Sequence, residues 1–259
     1  MNEKFNLSDV SFLFAVRIES PERLENIRIV IAYLLRYFKT PICIVEADSR
    51  ESGLREQCPS ESVEFTFIED NDPVFHKTKY VNWLARQVKT PFVAVWDADV
   101  IVHPIQIQTS TLRLRNATVD FIFPYDGRFL DTGIRNRIAF INSYDIRFLE
   151  KRSDKMRLPY TANACGGGFF ANREAYIKAG MENEMIYGWG PDDVDRLNRW
   201  RTLQMRVGRV KGPMFHLSHP RPHSDFKSEI EKIALFNEIE RIKRMTVAEL
   251  EQEIQTWHR

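Results

Sequence analysis

The segment VWDADVIVHP, residues 95–104, sets two aspartates one residue apart directly behind an apolar run. That run, Phe92-Val93-Ala94-Val95-Trp96, reads as a buried strand. Asp97 and Asp99, with Ala98 between them, therefore stand where the chain leaves a sheet. Carboxylates withdrawn from water need partners. Two of them at one strand exit can converge on one side and hold a hard divalent ion, directly or through water. Mg²⁺ and Mn²⁺ favour carboxylates, water and phosphate oxygens, and keep positions open for a substrate diphosphate. An Asp-x-Asp alone is unspecific, and a solvated turn is the plain alternative.

Three further clusters carry chemistry. In NACGGGFFANREAYIKAG, residues 163–180, Gly166, Gly167 and Gly168 permit close backbone approach, either as a tight turn or as a floor for a flat polar ligand. In YGWGPDDVDRLNRW, residues 187–200, Trp189 stands between two glycines, and Pro191, Asp192 and Asp193 follow. Acids at such a position are by default helix caps. A ring beside carboxylates also suits a sugar, whose C–H face packs on the ring and whose hydroxyls donate to the acids. One of those acids can then serve as general base on an attacking hydroxyl. In VGRVKGPMFHLSHPRPH, His216 and His219 lie three apart. Downstream of an acidic metal motif, either can ligate through neutral imidazole, although a lone histidine is usually structural.

The elements that position these clusters follow an α/β rhythm. VSFLFAVRI reads as a strand. SPERLENIRIVIAYLLRYF reads as a helix, with Ser20 as cap, Pro21 at its first position and acids in its first turns. TPICIVEAD and SVEFTFIED are strands, KTKYVNWLARQVK is an amphipathic helix, and TPFVAVWDAD is the next strand. Such an order gives a mostly parallel sheet, with ligands beyond the carboxyl ends of its strands. Arg17, Glu46, Asp48, Asp97 and Asp99 fall at those ends. VDFIFPYDG reads as a further strand, but residues 104–160 are otherwise hard to read. FFAN suggests a strand, REAYIKAG and DVDRLNRW suggest helices, and two amphipathic helices follow residue 225.

A formal net charge of +1 argues against a protein that grips nucleic acid by charge. Three cysteines, Cys43, Cys58 and Cys165, are no disulfide framework and point to a reducing compartment. No apolar stretch approaches a membrane span, and MNEKFNLSDV lacks a signal-peptide layout, so a cytoplasmic protein is expected. Without repeats or linkers, residues 1–259 read as a single unit, with a core over 10–220 and a helical extension over 225–259. The basic stretch from Arg128 to Arg157 suits an anionic lipid surface or an acidic acceptor, and equally a solvated face.

Taken in order, DAD, GGG, WGPDD and HLSH resemble the GT-A glycosyltransferases, and within them the galactosyltransferase and N-acetylgalactosaminyltransferase group. The resemblance covers roughly residues 10–220 and implies a Rossmann-like, mostly parallel sheet flanked by helices, with helices at the C-terminal end. It implies Mn²⁺ or Mg²⁺ and a UDP-sugar donor, and the expected cytoplasmic location without a span suggests a bacterial enzyme building a capsule, lipopolysaccharide or similar glycan on a saccharide or lipid-linked acceptor. Asp97 and Asp99 would serve the metal and diphosphate, with His216 or His219, His216 favoured, as a later ligand. Arg17, Glu46, Asp48, Lys79 and Asn82 would line a uridine pocket. Gly166 to Gly168 would lie against the donor sugar, and Trp189 would shape the acceptor side. Asp193 would be the base of an inverting transfer and Asp192 a hydroxyl contact. Pro191-Asp192 departs from the commoner Gly-Glu of this signature, which bears on acceptor geometry. A sugar nucleotidyltransferase is the competing enzyme class, but AVRIESPERL has no glycine-rich phosphate loop. A non-catalytic sugar-binding relative would not require the full set of acids.

Overall fold

The computed structural model describes residues 3–58, 61–160, 163–188, 190–220 and 229–257. Its centre is a seven-stranded sheet built around the parallel strands β2 (Val10–Val16), β4 (Ile42–Asp48), β5 (Val63–Glu69) and β6 (Phe92–Trp96). On the far side of β6 lie β10 (Gly168–Asn172), β8 (Phe121–Phe123) and β11 (Val207–Arg209), giving the order β11-β8-β10-β6-β2-β4-β5. Only β10 runs antiparallel to its neighbours. A pair β1 (Phe5–Asn6) and β3 (Phe38–Lys39) stands apart. Strands β2, β4 and β6 are buried almost throughout, as expected of a parallel sheet covered on both faces.

Helix α1 (Pro21–Tyr37) begins as its sequence predicts, with the Ser20 hydroxyl accepting from Arg23 N at 3.3 Å. Helices α2 (Leu54–Gln57) and α3 (Lys77–Gln87) complete the first half. Because β2, β4 and β6 are parallel, their carboxyl ends share one edge, and Arg17, Glu46 and Asp97 all emerge there.

A second, three-stranded sheet lies over that edge. It pairs β7 (Val100–Ile101) with β12 (Met214–His216), and β12 with β9 (Phe129–Asp131). The register sets His216 opposite both Val100 and Asp131, so distant segments meet beside Asp99.

The hard-to-read stretch contains α4 (Pro104–Arg115), α5 (Gly133–Ser143), α6 (Ile146–Glu150) and a 3₁₀ turn over Ser153–Lys155. Helix α4 was hidden because polar residues occupy its buried face. Gln106, Ser110 and Thr111 are all buried, and Gln106 Nε2 donates to Pro124 O at 2.6 Å. A hydrophobic period cannot report a face satisfied by hydrogen bonds. Helix α7 (Arg173–Lys178) precedes α8 (Asp192–Thr202), whose first turn carries Asp192 and Asp193. Trp200 of α8 stacks on Phe121 at 3.9 Å between ring centroids, anchoring α8 to the sheet. Helix α9 (Glu229–Lys243) packs beside α8 through Leu235 and Ile239 on Ile186, and α10 (Val247–Trp257) through Leu250 and Ile254 on Ile242. The boundary expected at residue 225 lies outside the described residues.

Candidate active site

The turn at Ala98 and Asp99 decides the site. It interrupts the strand alternation that would have brought both aspartates to one side. Asp97 faces α3, where Lys77 Nζ lies 2.6 Å from its Oδ1. Asp99 turns instead to the small sheet. Its Oδ2 is 2.9 Å from His219 Nε2 and 3.8 Å from His216 Nε2. One ligand atom from each of Asp99, His216 and His219 lies within 4.8 Å of the others, a spacing open enough to receive one ion. A carboxylate with two imidazoles fits Mn²⁺ and other first-row divalent metals. Of the two aspartates expected at a metal, Asp99 stands in this cluster and Asp97 stands apart, engaged by Lys77. Both histidines, rather than one, stand in the cluster.

The electrostatics agree with this division. Burial would raise the Asp99 carboxyl, but His216 and His219 hold it well below the usual range. Burial would lower His216, but the Asp99 and Asp131 carboxylates lift it above the ordinary value. Asp131 also accepts from Ser218 Oγ, and from Arg157 at 2.5 Å.

A cleft opens on the other side of Asp97. Its lining includes Lys77, Gly167, Glu182, Asp192, Asp193 and Arg196. Arg196 is buried and organises the acids. Its Nη1 lies 2.6 Å from Glu182 Oε2, its Nη2 2.5 Å from Asp193 Oδ1, and Asp192 Oδ2 is more distant at 3.8 Å. Its guanidinium also sits 4.4 Å over the Phe169 ring. Burial and the adjacent Asp193 charge push Asp192 up to about 7, and burial raises Asp193 as well. Two close carboxylates share protons unequally. Arg196 bonds Asp193 directly, which favours Asp193 over Asp192 as the ionised member of the pair. Asp193 is thus equipped to accept a proton.

Gly166 makes room for it. A Cβ added there would come within 2.3 Å of Asp193 Oδ2. Gly167 adopts φ +84°, and its Cβ would meet Met214 at 2.5 Å and Phe129 at 2.9 Å. The GGG run is therefore a packing requirement of the cleft as well as part of its wall. Gly166→Ala should displace Asp193 and lower kcat by about 10²-fold, the loss typical of a misplacement near 1 Å. Steady-state kinetics, with melting temperature as the control for folding, check this.

The family model for the N-terminal domain of galactosyltransferase matches residues 147–223, which include GGG, the acids and both histidines. The catalytic domain of Drosophila β1,4-galactosyltransferase 7, solved with xylobiose, superposes with a TM-score of 0.54 at 14% identity, covering 93% of this chain and 82% of that one. The chain has the fold of the GT-A glycosyltransferases. Glucosyl-3-phosphoglycerate synthase from Mycobacterium tuberculosis, solved with Mn²⁺, UDP and glucosyl-3-phosphoglycerate, gives a TM-score of 0.50 at 11% identity, covering 95% and 80%. No curated protein sequence matches the chain.

The remaining sequence candidates divide. Arg17 is buried at the end of β2. It donates to Ala47 O at 3.0 Å and Asp72 O at 2.7 Å, and pairs with Asp70 at 3.1 Å. It also lines a hollow with Arg23, Asn26, Ala98 and Asp99. Glu46 is fully buried, with Oε1 accepting from Ser52 N at 3.0 Å and Oε2 without a partner among the described residues. Burial raises its carboxyl. Asp48 accepts from Ser49 N at 2.7 Å in its own turn. Lys79 is exposed over Tyr80. Asn82 is committed elsewhere. Its amide donates to Glu182 O and Glu184 Oε1 and accepts from Glu182 N, tying α3 to the segment before α8. Trp189 lies outside the described residues.

Sequence reasoning missed Lys77, Glu182 and Arg196. Lys77 could have been found as the first residue of the α3 helix facing the strand-end acids. Arg196 could have been found from its i+3 spacing to Asp193.

Asp192 supplies a pH test. A carboxyl raised to about 7 contributes stability that is present in acid and lost as pH rises through 7. Asp192→Asn, a neutral near-isostere, should leave the melting temperature unchanged at acid pH and raise it above pH 7. The gain is about 2–4 °C per kcal/mol relieved. Melting curves across pH read this directly, and a pH-independent effect would show that the raised carboxyl is not the cause.

Proposed function

We propose that the protein is a metal-dependent hexosyltransferase that moves galactose or N-acetylgalactosamine from a UDP-sugar to a hydroxyl of a saccharide or lipid-linked glycan, with inversion. The observation that carries this reading is the Asp97–Asp99 turn, which joins an Asp99–His216–His219 cluster to a cleft holding an Arg196-paired Asp193. The similar structures solved with Mn²⁺, UDP and glucosyl-3-phosphoglycerate, and with xylobiose, support this class of reaction.

Asp99, His216 and His219 would hold the ion. When bound, it supplies a Lewis acid for the departing diphosphate. Arg17 and Glu46 form the strand-end wall on the nucleotide side, with Arg23 beside Asp99 as a further cation. Lys77, paired to Asp97, and the glycine backbone border the space for the donor sugar. Asp193 takes the proton from the acceptor hydroxyl, and Asp192 stays beside it as a hydroxyl contact. Lys77 and Arg196 favour the ionised form of Asp193 against burial.

A panel of UDP-sugars with Mn²⁺ and a saccharide acceptor tests this, following UDP release and the anomeric configuration of the product. Selective, chelator-sensitive release with inversion supports the proposal. Retention would remove Asp193 as base, and absence of metal-dependent UDP binding would overturn the reading of Asp99.

A further inference from the structure

Residues 128–157 hold eight Lys and Arg against four Asp and Glu, in a chain whose net charge is only +1. The structure sorts these cations. Arg128 pairs with Asp126, Arg137 is buried against Glu25, Arg147 pairs with Asp145, and Arg157 pairs with Asp131. Arg135, Lys151, Arg152 and Lys155 are exposed and form no ion pair among the described residues.

Apolar side chains are exposed in the same region. Helix α5 packs inward through Arg137 and Phe140 and turns Ile134, 71% exposed, and Ile138, 50% exposed, to solvent one helical turn apart, with exposed Arg135 three residues before Ile138. The bridge between Asp131 and Arg157 draws Leu158 and Tyr160 alongside β9, where the Tyr160 ring meets Phe129 at 5.7 Å. Leu158 and Tyr160 are 42% and 44% exposed. These residues border Asp131, which touches Ser218 and faces His216. The segment is therefore next to the metal cluster.

We propose that this segment, through Ile134, Ile138, Leu158 and Tyr160 and the exposed cations Arg135, Lys151, Arg152 and Lys155, docks on an anionic lipid surface. Stable interfacial binding takes two signals, apolar insertion and a basic patch. Here both are carried by one segment, residues 128–160. A second copy of the chain would set these cations against one another, and the charge therefore favours the lipid. Docking by this segment would hold the cleft near the membrane, where a lipid-carried acceptor presents its sugar. Vesicle binding is measured without donor or metal, so its outcome does not depend on the transferase reading.

The test is cosedimentation with phosphatidylcholine vesicles, with and without phosphatidylglycerol, at low and high salt. The wild-type chain should bind the phosphatidylglycerol vesicles, release at high salt, and ignore the neutral ones. Arg135→Glu should weaken binding by about tenfold, and so should Ile134→Ser with Ile138→Ser. Both substitutions lie on exposed positions, and melting temperatures report that the fold is intact. Equal binding by the variants, or none by the wild type, would overturn the proposal. So would a dimer in sedimentation equilibrium that the isoleucine variant abolishes, or equal capture of a soluble anionic polysaccharide.

Discussion

Asp193→Asn is expected to lower kcat by about 10²–10⁴-fold, the usual worth of a positioned general base. Asparagine keeps the shape and can still receive the Arg196 hydrogen bond through its carbonyl, so the cleft should survive. It cannot take a proton from the acceptor hydroxyl. Donor binding should be nearly untouched, because Asp193 lies on the cleft side and the nucleotide-side hollow is lined by Arg17, Arg23, Ala98 and Asp99. The measurement is therefore a split, with kcat collapsing while metal-dependent UDP affinity holds. If both fell together, Asp193 would be a structural partner of Arg196. If neither fell, the base would have to be sought elsewhere in the cleft.

Asp99→Asn is expected to abolish divalent-metal binding and, with it, metal-dependent UDP binding. The carboxylate is the anionic member of the three-residue cluster, and it faces two imidazoles that repel a cation once protonated. Each lost ligand of such a set weakens metal affinity severely, since even outer partners cost about 10–100-fold. Calorimetry with Mn²⁺ alone reads the site without turnover. His219→Ala should act in the same direction. Asp97→Asn should leave Mn²⁺ affinity much closer to wild type, because Asp97 is bound to Lys77. Equal losses at Asp97 and Asp99 would show that the Lys77 pair opens to bring both acids to the ion.

That contrast marks the limit of a one-dimensional reading. In DAD the two acids are equivalent by spacing, and nothing local tells that a turn at Ala98 sends them to different neighbours. The family resemblance alone implied a pocket role for Asn82. Its partners, Glu182 and Glu184, come from 100 residues away, and no local pattern names them. Helix α4 escaped for a related reason: its buried face is partly polar and is satisfied by distant carbonyls.

What the sequence determined by itself was whatever rests on local order. Apolar runs of β-formers set strands β2, β4 and β6, and parallel connection forced their polar ends onto one edge. Ser20 and Pro21 started α1. The order of DAD, GGG, WGPDD and HLSH pointed to the GT-A fold before any coordinate did. The tertiary structure decided which of those residues meet. It joined Asp99 to both histidines through the register of a three-stranded sheet, gave Asp97 to Lys77, and placed Arg196 where it orders Asp192 and Asp193. The reason is physical. Helix and strand patterns depend on neighbours a few residues apart, whereas ion pairing and proton sharing depend on distances of a few ångströms between segments that only the folded core brings together.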